Sequence, residues 1–177
     1  MHPHFIDEAY KMYSKALYVY AYSLCKNVAT AEDLVSDAFY KALLSYDRQE
    51  ESFQYWLYRV VKNQYLDEKK RNHIWTRKAV QFKQQIEQQN MQTMDHPNGQ
   101  MILDQLIEEE QSKHLLEIIL NLEPDVYKEV ILLYYYNQLS VKEIAGLLEK
   151  TENDVKVILY RARKKLGKVI GGKQDEF

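Results

Sequence analysis

An all-helical protein of two small domains is the fold this sequence predicts, on three observations. Of 177 residues only three are proline and five glycine, so helix-breaking punctuation is scarce. Strand-like alternation is hard to find, whereas apolar residues recur at three- and four-residue spacing in both halves of the chain. Between those halves, residues 74–105 turn polar and rich in glutamine (Gln81, Gln84, Gln85, Gln88, Gln89, Gln92) and carry the turn signal His96-Pro97-Asn98-Gly99. That stretch is the expected linker. It leaves 1–73 as a first domain, 106–170 as a second and 171–177 as a tail. A hydrophobic content of 46% is ample for packed cores.

The first element is Phe5 to Cys25, with aromatic and aliphatic residues at helical spacing, read as one long amphipathic helix or two adjoining ones. The segment Asn27 to Thr30 breaks it. Thr30 with Asp33 predicts a capping box opening the next helix. In that helix Leu34, Val35, Ala38, Phe39, Leu43 and Leu44 are expected to supply core, leaving Glu32, Asp33, Ser36, Asp37 and Tyr40 outside. After a polar connector, Asp47 to Ser52, a third helix begins at Phe53. Its apolar residues include Phe53, Trp56, Leu57, Val60, Val61 and Tyr65, and Arg59, Lys62, Asn63, Lys69, Lys70 and Arg71 lie largely off that face. Aromatics interleaved with cations suit a single-stranded nucleic acid, because bases stack on rings while cations track phosphates. Phe53 and Leu57 are expected in the core; for Tyr55, Trp56 and Tyr58 core packing and base stacking stand level.

Lys78 to Gln92 is compatible with helix, since Gln and Lys are fair helix formers. Helix resumes at Met101 and runs to Leu120. Pro124 suits the start of the next helix, Asp125 to Tyr136. Ser140 to Leu166 then reads as two helices joined by a tight turn. Ser140 with Glu143, and Thr151 with Asp154, are capping boxes. Ile144, Leu147 and Leu148 form one apolar stripe; Val155, Leu159, Ala162 and Leu166 form the other. The connection Glu149 to Thr151 forces the helices to cross, the pattern of a helix-turn-helix whose second helix can enter a DNA major groove. At about 100° per residue, the outward face of that helix carries Asn153, Lys156, Val157, Tyr160, Arg161 and Lys164. No acid lies between Val155 and Ile170, so the face suits polyphosphate.

The formal net charge is −2, modest for an independent DNA binder, but it is unevenly spread. Basic residues dominate 59–78 and the last helix, and acids dominate 104–129. This distribution predicts weak affinity for DNA alone, with a larger complex supplying the remaining binding energy. Cys25 is the single cysteine, which excludes a disulfide framework and a cysteine-cluster zinc site; in its apolar helix it reads as a small hydrophobe and not as a nucleophile. The histidines have no ligand spacing, and no glycine-rich phosphate loop or nucleophile motif occurs. No metal, cofactor or catalytic residue is therefore expected. The absence of a signal peptide and of an apolar run near 18 residues predicts a cytoplasmic protein without membrane insertion.

Both ends of the chain resemble one family, the extracytoplasmic-function class of bacterial RNA polymerase sigma factors. Ala31 to Leu43 (AEDLVSDAFYKAL) and Ser52 to Asp67 (SFQYWLYRVVKNQYLD) are similar to its region two. Leu122 to Leu148 and Asp154 to Leu166 (DVKVILYRARKKL) are similar to its region four. The resemblance implies that Glu32, Asp33, Leu34, Ser36, Asp37 and Tyr40 contact core polymerase. It implies that Tyr55, Trp56, Arg59, Lys62, Asn63, Lys69, Lys70 and Arg71 meet the −10 element, with Asn63 at the family's base-reading asparagine and the Tyr46 to Ser52 loop holding a flipped-out base. Asn153, Lys156, Val157, Tyr160, Arg161 and Lys164 would meet the −35 element. An anti-sigma factor, often membrane-anchored, is a further implied partner. The chain departs from the family at Glu149 and Lys150, where a Gly-apolar turn pair is usual, and at Val157 and Ile158, where Ser-Arg is common. Its recognition helix also begins with the acids Glu152 and Asp154. The alternative is a stand-alone helix-turn-helix regulator similar to response-regulator output domains. Those usually follow an α/β receiver, and the front half shows neither strands nor a phosphoacceptor pattern.

Overall fold

The computed structural model describes residues 3–46, 51–83 and 110–172, and every regular element among them is helical. The first domain holds α1 (Pro3–Cys25), α2 (Val28–Ser45) and α3 (Phe53–Lys83). The second holds α4 (Glu110–Leu120), α5 (Asp125–Ile131), a π-helical turn (Leu132–Tyr136), α6 (Val141–Leu147) and α7 (Glu152–Gly172). The glutamine-rich stretch beyond residue 83, the His96–Gly99 turn, the helix start at Met101, the connector residues 47–50 and the tail from 173 lie outside the described residues.

The first segment is one unbroken helix. It ends where Lys26 turns left-handed, at φ 51°. The cap of α2 differs from the expected Thr30–Asp33 box. Asn27 is the N-cap, and its side chain accepts the Thr30 N–H at 2.9 Å. Asparagine is among the best N-cap residues, so the helix starts a turn earlier than the Thr-x-x-Asp spacing suggests. Leu34, Val35, Ala38 and Phe39 are buried as expected, but Leu43 and Leu44 are exposed. Ala42 holds the inward position of that last turn, at 0% exposure, and the two leucines fall on either flank of the outward face. Phe53, Leu57 and Val61 of α3 close the three-helix core. Phe53 is the aromatic hub, with Phe5, Tyr13, Phe39, Tyr46 and Trp56 around it. α3 also runs on to Lys83, through the first part of the expected linker.

In the second domain α5 carries the packing. Val130 and Ile131, with Leu133 of the π-helical turn, bury against Ile144, Val155, Leu159 and Ala162. The helix widens at Leu132, where the Asn137 N–H donates to the Leu132 carbonyl at 2.8 Å, so the expected helix to Tyr136 is α-helical only to Ile131. The two domains pack on each other. Val19 of α1 is fully buried together with Leu116, Leu120 and Leu132. Tyr20 and Tyr58, both fully buried, bring their ring centroids to 5.2 Å beside that contact.

Candidate nucleic-acid interface

The helix-turn-helix forms as its sequence dictates. Ser140 Oγ accepts the Glu143 N–H at 3.2 Å while the Glu143 carboxylate accepts the Ser140 N–H at 2.9 Å. Thr151 and Asp154 repeat the exchange at 3.1 and 3.2 Å. Burial raises the Glu143 carboxyl, but hydrogen bonds from Ser140 and Ser52 outweigh it and hold the group below its ordinary value. The Thr151 hydroxyl and N–H do the same for Asp154. Asp154 is therefore committed to its own helix cap. Between the helices the Lys150 N–H donates to the Ala145 carbonyl at 2.9 Å and the Glu149 N–H to Gly146, a Schellman ending. That ending needs a left-handed residue, and Glu149 supplies it with φ 52°. The family's usual glycine there has a physical cause: a left-handed L-residue costs roughly 1–2 kcal/mol. Glu149→Gly should raise stability by about 1 kcal/mol, read as an increase in the midpoint of urea unfolding. A decrease would mean that the Glu149 side chain contributes more than its backbone costs.

On α7 the inward residues Val155, Leu159 and Ala162 are buried and Leu166 is half-buried. All six outward candidates, Asn153, Lys156, Val157, Tyr160, Arg161 and Lys164, are exposed. Tyr160 is the most prominent, at 66%. Two neighbouring cations have other duties. Arg163 lies over the Tyr135 ring at 5.6 Å, and Lys165 Nζ donates to the Glu123 carbonyl at 2.5 Å. These contacts hold α7 on the π-helical turn and on the loop before α5.

The structure sorts the α3 candidates into three groups. Asn63, Lys69, Lys70 and Arg71 are exposed, with Lys69 Nζ 5.8 Å from the Tyr65 ring centroid. Arg59 is exposed and paired with Glu51. Trp56 is half-buried, edge-on to Tyr46 at 5.4 Å, and the Tyr46 hydroxyl donates to the Glu51 carbonyl at 2.9 Å, which fixes the end of the connector. Tyr55 and Lys62 face the second domain instead of solvent. The Tyr55 hydroxyl lies against Gly146, and Lys62 Nζ meets the Glu129 carboxylate at 2.5 Å. Tyr58, level between core and stacking on sequence grounds, is core at 0% exposure, and burial pushes its hydroxyl well above the ordinary tyrosine value.

On α2, Glu32, Asp33, Ser36, Asp37 and Tyr40 are exposed along one face. Leu34 is not; at 1% exposure it belongs to the core and is removed from the contact set. Asp33 before it and Ser36 two residues after it point outward because each residue is a 100° step on a helix. The exposed Leu43 and Leu44 extend the face with apolar surface. Beside it, a cleft of about 370 Å³ between α1 and α2 is lined by Tyr10, Lys15, Tyr18, Glu32 and Ser36. Burial, then Glu32, pushes the Tyr18 hydroxyl up to about 12.

Sequence reasoning missed Glu129, which counts there only as one acid of an acidic stretch. In the structure it is buried, only 9% exposed, and receives both Lys62 and, at 2.8 Å, the Tyr20 hydroxyl. Burial first, and the Glu129 charge second, push the Tyr20 hydroxyl well above its ordinary value, which keeps it a donor. The available signal was positional: Glu129 lies three residues before Leu132 and four before Leu133, on an otherwise apolar face. Cys25 is half-buried, its thiol raised by burial and donating to the Asn27 carbonyl at 3.2 Å. Among the described residues no group of three acids, histidines or cysteines is placed to hold a metal, and no helix is long and apolar enough to cross a membrane.

Two family models match the chain, Sigma-70 region 2 over residues 9–73 and Sigma-70, region 4 over residues 115–166. The ECF RNA polymerase sigma factor SigW of Bacillus subtilis is 30% identical over 161 residues, covering 89% of this chain and 84% of the relative. The chain is a member of the extracytoplasmic-function sigma factors. SigM of the same organism is 28% identical across 91% of this sigma factor and 92% of its own length. The fold also matches the sigma factor RpoE solved with the anti-sigma factor NepR from Bartonella quintana (TM-score 0.62, 18% identity, 93% of this chain and 96% of that one). It matches CnrH solved with the cytosolic domain of CnrY as well (TM-score 0.60, 18% identity, 97% and 90%). As an alternative sigma factor the protein directs transcription initiation by RNA polymerase.

Proposed function

We propose that faces on α2, α3 and α7 divide that work. The outer face of α2, with Glu32, Asp33, Ser36, Asp37 and Tyr40 and the apolar Leu43 and Leu44, docks core polymerase. Residues 1–73 also carry −10 recognition and melting through Tyr55, Trp56, Arg59, Lys62, Asn63, Lys69, Lys70 and Arg71. Residues 106–170 carry −35 recognition on α7, and 74–105 link the two. The observation that carries the reading is α7 itself: its apolar side is buried on its own domain while its opposite side, free of acids from Lys156 to Lys168, is exposed throughout. A single-sign helix face presented beyond a tight turn fits a phosphate-lined groove. The protein has no catalytic step of its own, works in the cytoplasm, and is held in check by an anti-sigma factor. Support for the last point comes from the similarly folded RpoE, solved with the anti-sigma factor NepR.

Holoenzyme binding to a promoter library randomised at the −35 element, at two salt concentrations, tests the reading. Lys164→Ala should weaken binding about equally across sequences and flatten the salt slope by about one unit. Arg161→Ala should relax preference at one position, at a cost of about 1–3 kcal/mol. Val157 adds apolar contact suited to a thymine methyl. Identical sequence profiles for wild type and both variants would show that α7 positions the DNA without reading it.

A further inference from the structure

The π-helical turn Leu132–Tyr136, a widened form that often marks functional positions, presents a tyrosine to the flank of α7. Tyr135 is 52% exposed. Its ring stands edge-on to Tyr134, with centroids 5.0 Å apart, and the Arg163 guanidinium carbon lies 5.6 Å from its centroid. These two contacts fix the ring, and with it the hydroxyl, before any ligand arrives. A cation–π contact uses the charge of a guanidinium and not its whole fork of five N–H donors. Arg163 is exposed, and among the described residues no acid pairs with it.

The pair lies at the end of the face assigned above to DNA. Arg163 follows Lys156 by seven residues and Tyr160 by three, which puts all three on one stripe of α7. A rise of about 1.5 Å per residue sets Arg163 about 10 Å beyond Lys156, and the major groove is about 12 Å wide. A helix that reads bases with its first turns therefore brings position 163 to the edge of the groove, where the phosphates stand.

We propose that Tyr135 and Arg163 form a phosphate site on the flank of the helix-turn-helix, in which the Tyr135 hydroxyl and the Arg163 N–H groups donate to one backbone phosphate beside the −35 bases. The inference rests on the reading of α7 as the −35 helix. Hydrogen bonds to an anion are stronger than neutral ones, and a pre-set ring loses little freedom in making one. A phosphate carries no sequence information, so the site fixes the register of α7 on the duplex and selects no base. Packing alone gives the hydroxyl no role, since phenylalanine would stack on Arg163 equally well.

Tyr135→Phe keeps the ring and removes the hydroxyl alone. Circular dichroism should show unchanged unfolding. Fluorescence anisotropy of the holoenzyme on duplex promoters should show binding about ten-fold weaker, equally for every −35 sequence, with the salt slope unchanged because a neutral hydroxyl releases no counterion. Duplexes in which one phosphate at a time around the −35 element is replaced by a neutral methylphosphonate locate the contact. At one position the difference between wild type and Tyr135→Phe should vanish, and at the others it should persist. Arg163→Gln, checked for folding in the same way, should map to the same position. Wild-type affinity for Tyr135→Phe, a loss confined to one −35 sequence, or a loss undiminished on every methylphosphonate duplex would overturn the site. Lys164→Ala in the same assay separates this failure from that of the underlying reading. If Lys164→Ala weakens binding and Tyr135→Phe does not, the phosphate site alone falls; if neither does, α7 is not on the DNA and both fall.

Discussion

Leu34→Ala should cost the first domain about 2–5 kcal/mol, whereas Asp37→Arg, one turn further along α2, should leave stability nearly unchanged and weaken binding to core polymerase. Leu34 is 1% exposed and packs in the three-helix core, so truncation leaves a cavity that α1 and α3 fill only in part. Against a total stability of about 5–15 kcal/mol, that loss lowers the thermal midpoint by many degrees. Asp37 is exposed and accepts a long hydrogen bond, 3.3 Å, from Gln64 Nε2 of α3. Losing such a bond at the surface costs well under about 1 kcal/mol. Reversing its charge changes the surface offered to polymerase instead. Thermal unfolding and a fluorescence titration with core enzyme separate the two effects. Full polymerase affinity for Asp37→Arg would remove this face from the docking surface, and an unaltered midpoint for Leu34→Ala would contradict the packing of α2.

Asn63→Ala should lower open-complex formation on duplex promoters by about 5- to 150-fold, the equivalent of a base contact worth about 1–3 kcal/mol. Asn63 is exposed on α3 between the Arg59 and Lys70 positions, outside the core of Leu57 and Val61, so the loss does not pass through folding. Closed-complex formation should survive. Unstacking a base costs a few kcal/mol, and a pre-melted template has already met that cost, so permanganate reactivity and transcript yield should recover in part on bubble DNA. An equal defect on duplex and bubble templates would assign Asn63 to the structure of α3 and not to melting.

The parts of the molecule that were legible in the sequence are those governed by local spacing. Two capping boxes, a short turn and a three-and-four apolar stripe produced α6 and α7 with their inward and outward faces as expected, because each rests on contacts within a few residues. Where two local signals competed, the weaker was read: Thr30–Asp33 over the Asn27 cap. Leu43 and Leu44 show another limit. Hydrophobicity says that a side chain gains from leaving water, not whether its own domain or a partner removes it. Most obscure was the long-range chemistry. Lys62 and Glu129 stand 67 positions apart, and no periodicity connects a cation on one helix with an acid in the other domain. Glu149 was legible only as a departure from family pattern; its φ of 52° explains why the departure matters.

If these faces together make a promoter-specific initiation factor, in vitro transcription reads it out. Genomic fragments of the source organism are transcribed by core RNA polymerase with and without the purified protein. Discrete transcripts with defined start sites should arise only when both are present, and the protein alone should shift duplex DNA little. A protein that shifts duplex DNA unaided and adds no transcript to core polymerase would contradict it, and would point to a stand-alone helix-turn-helix regulator.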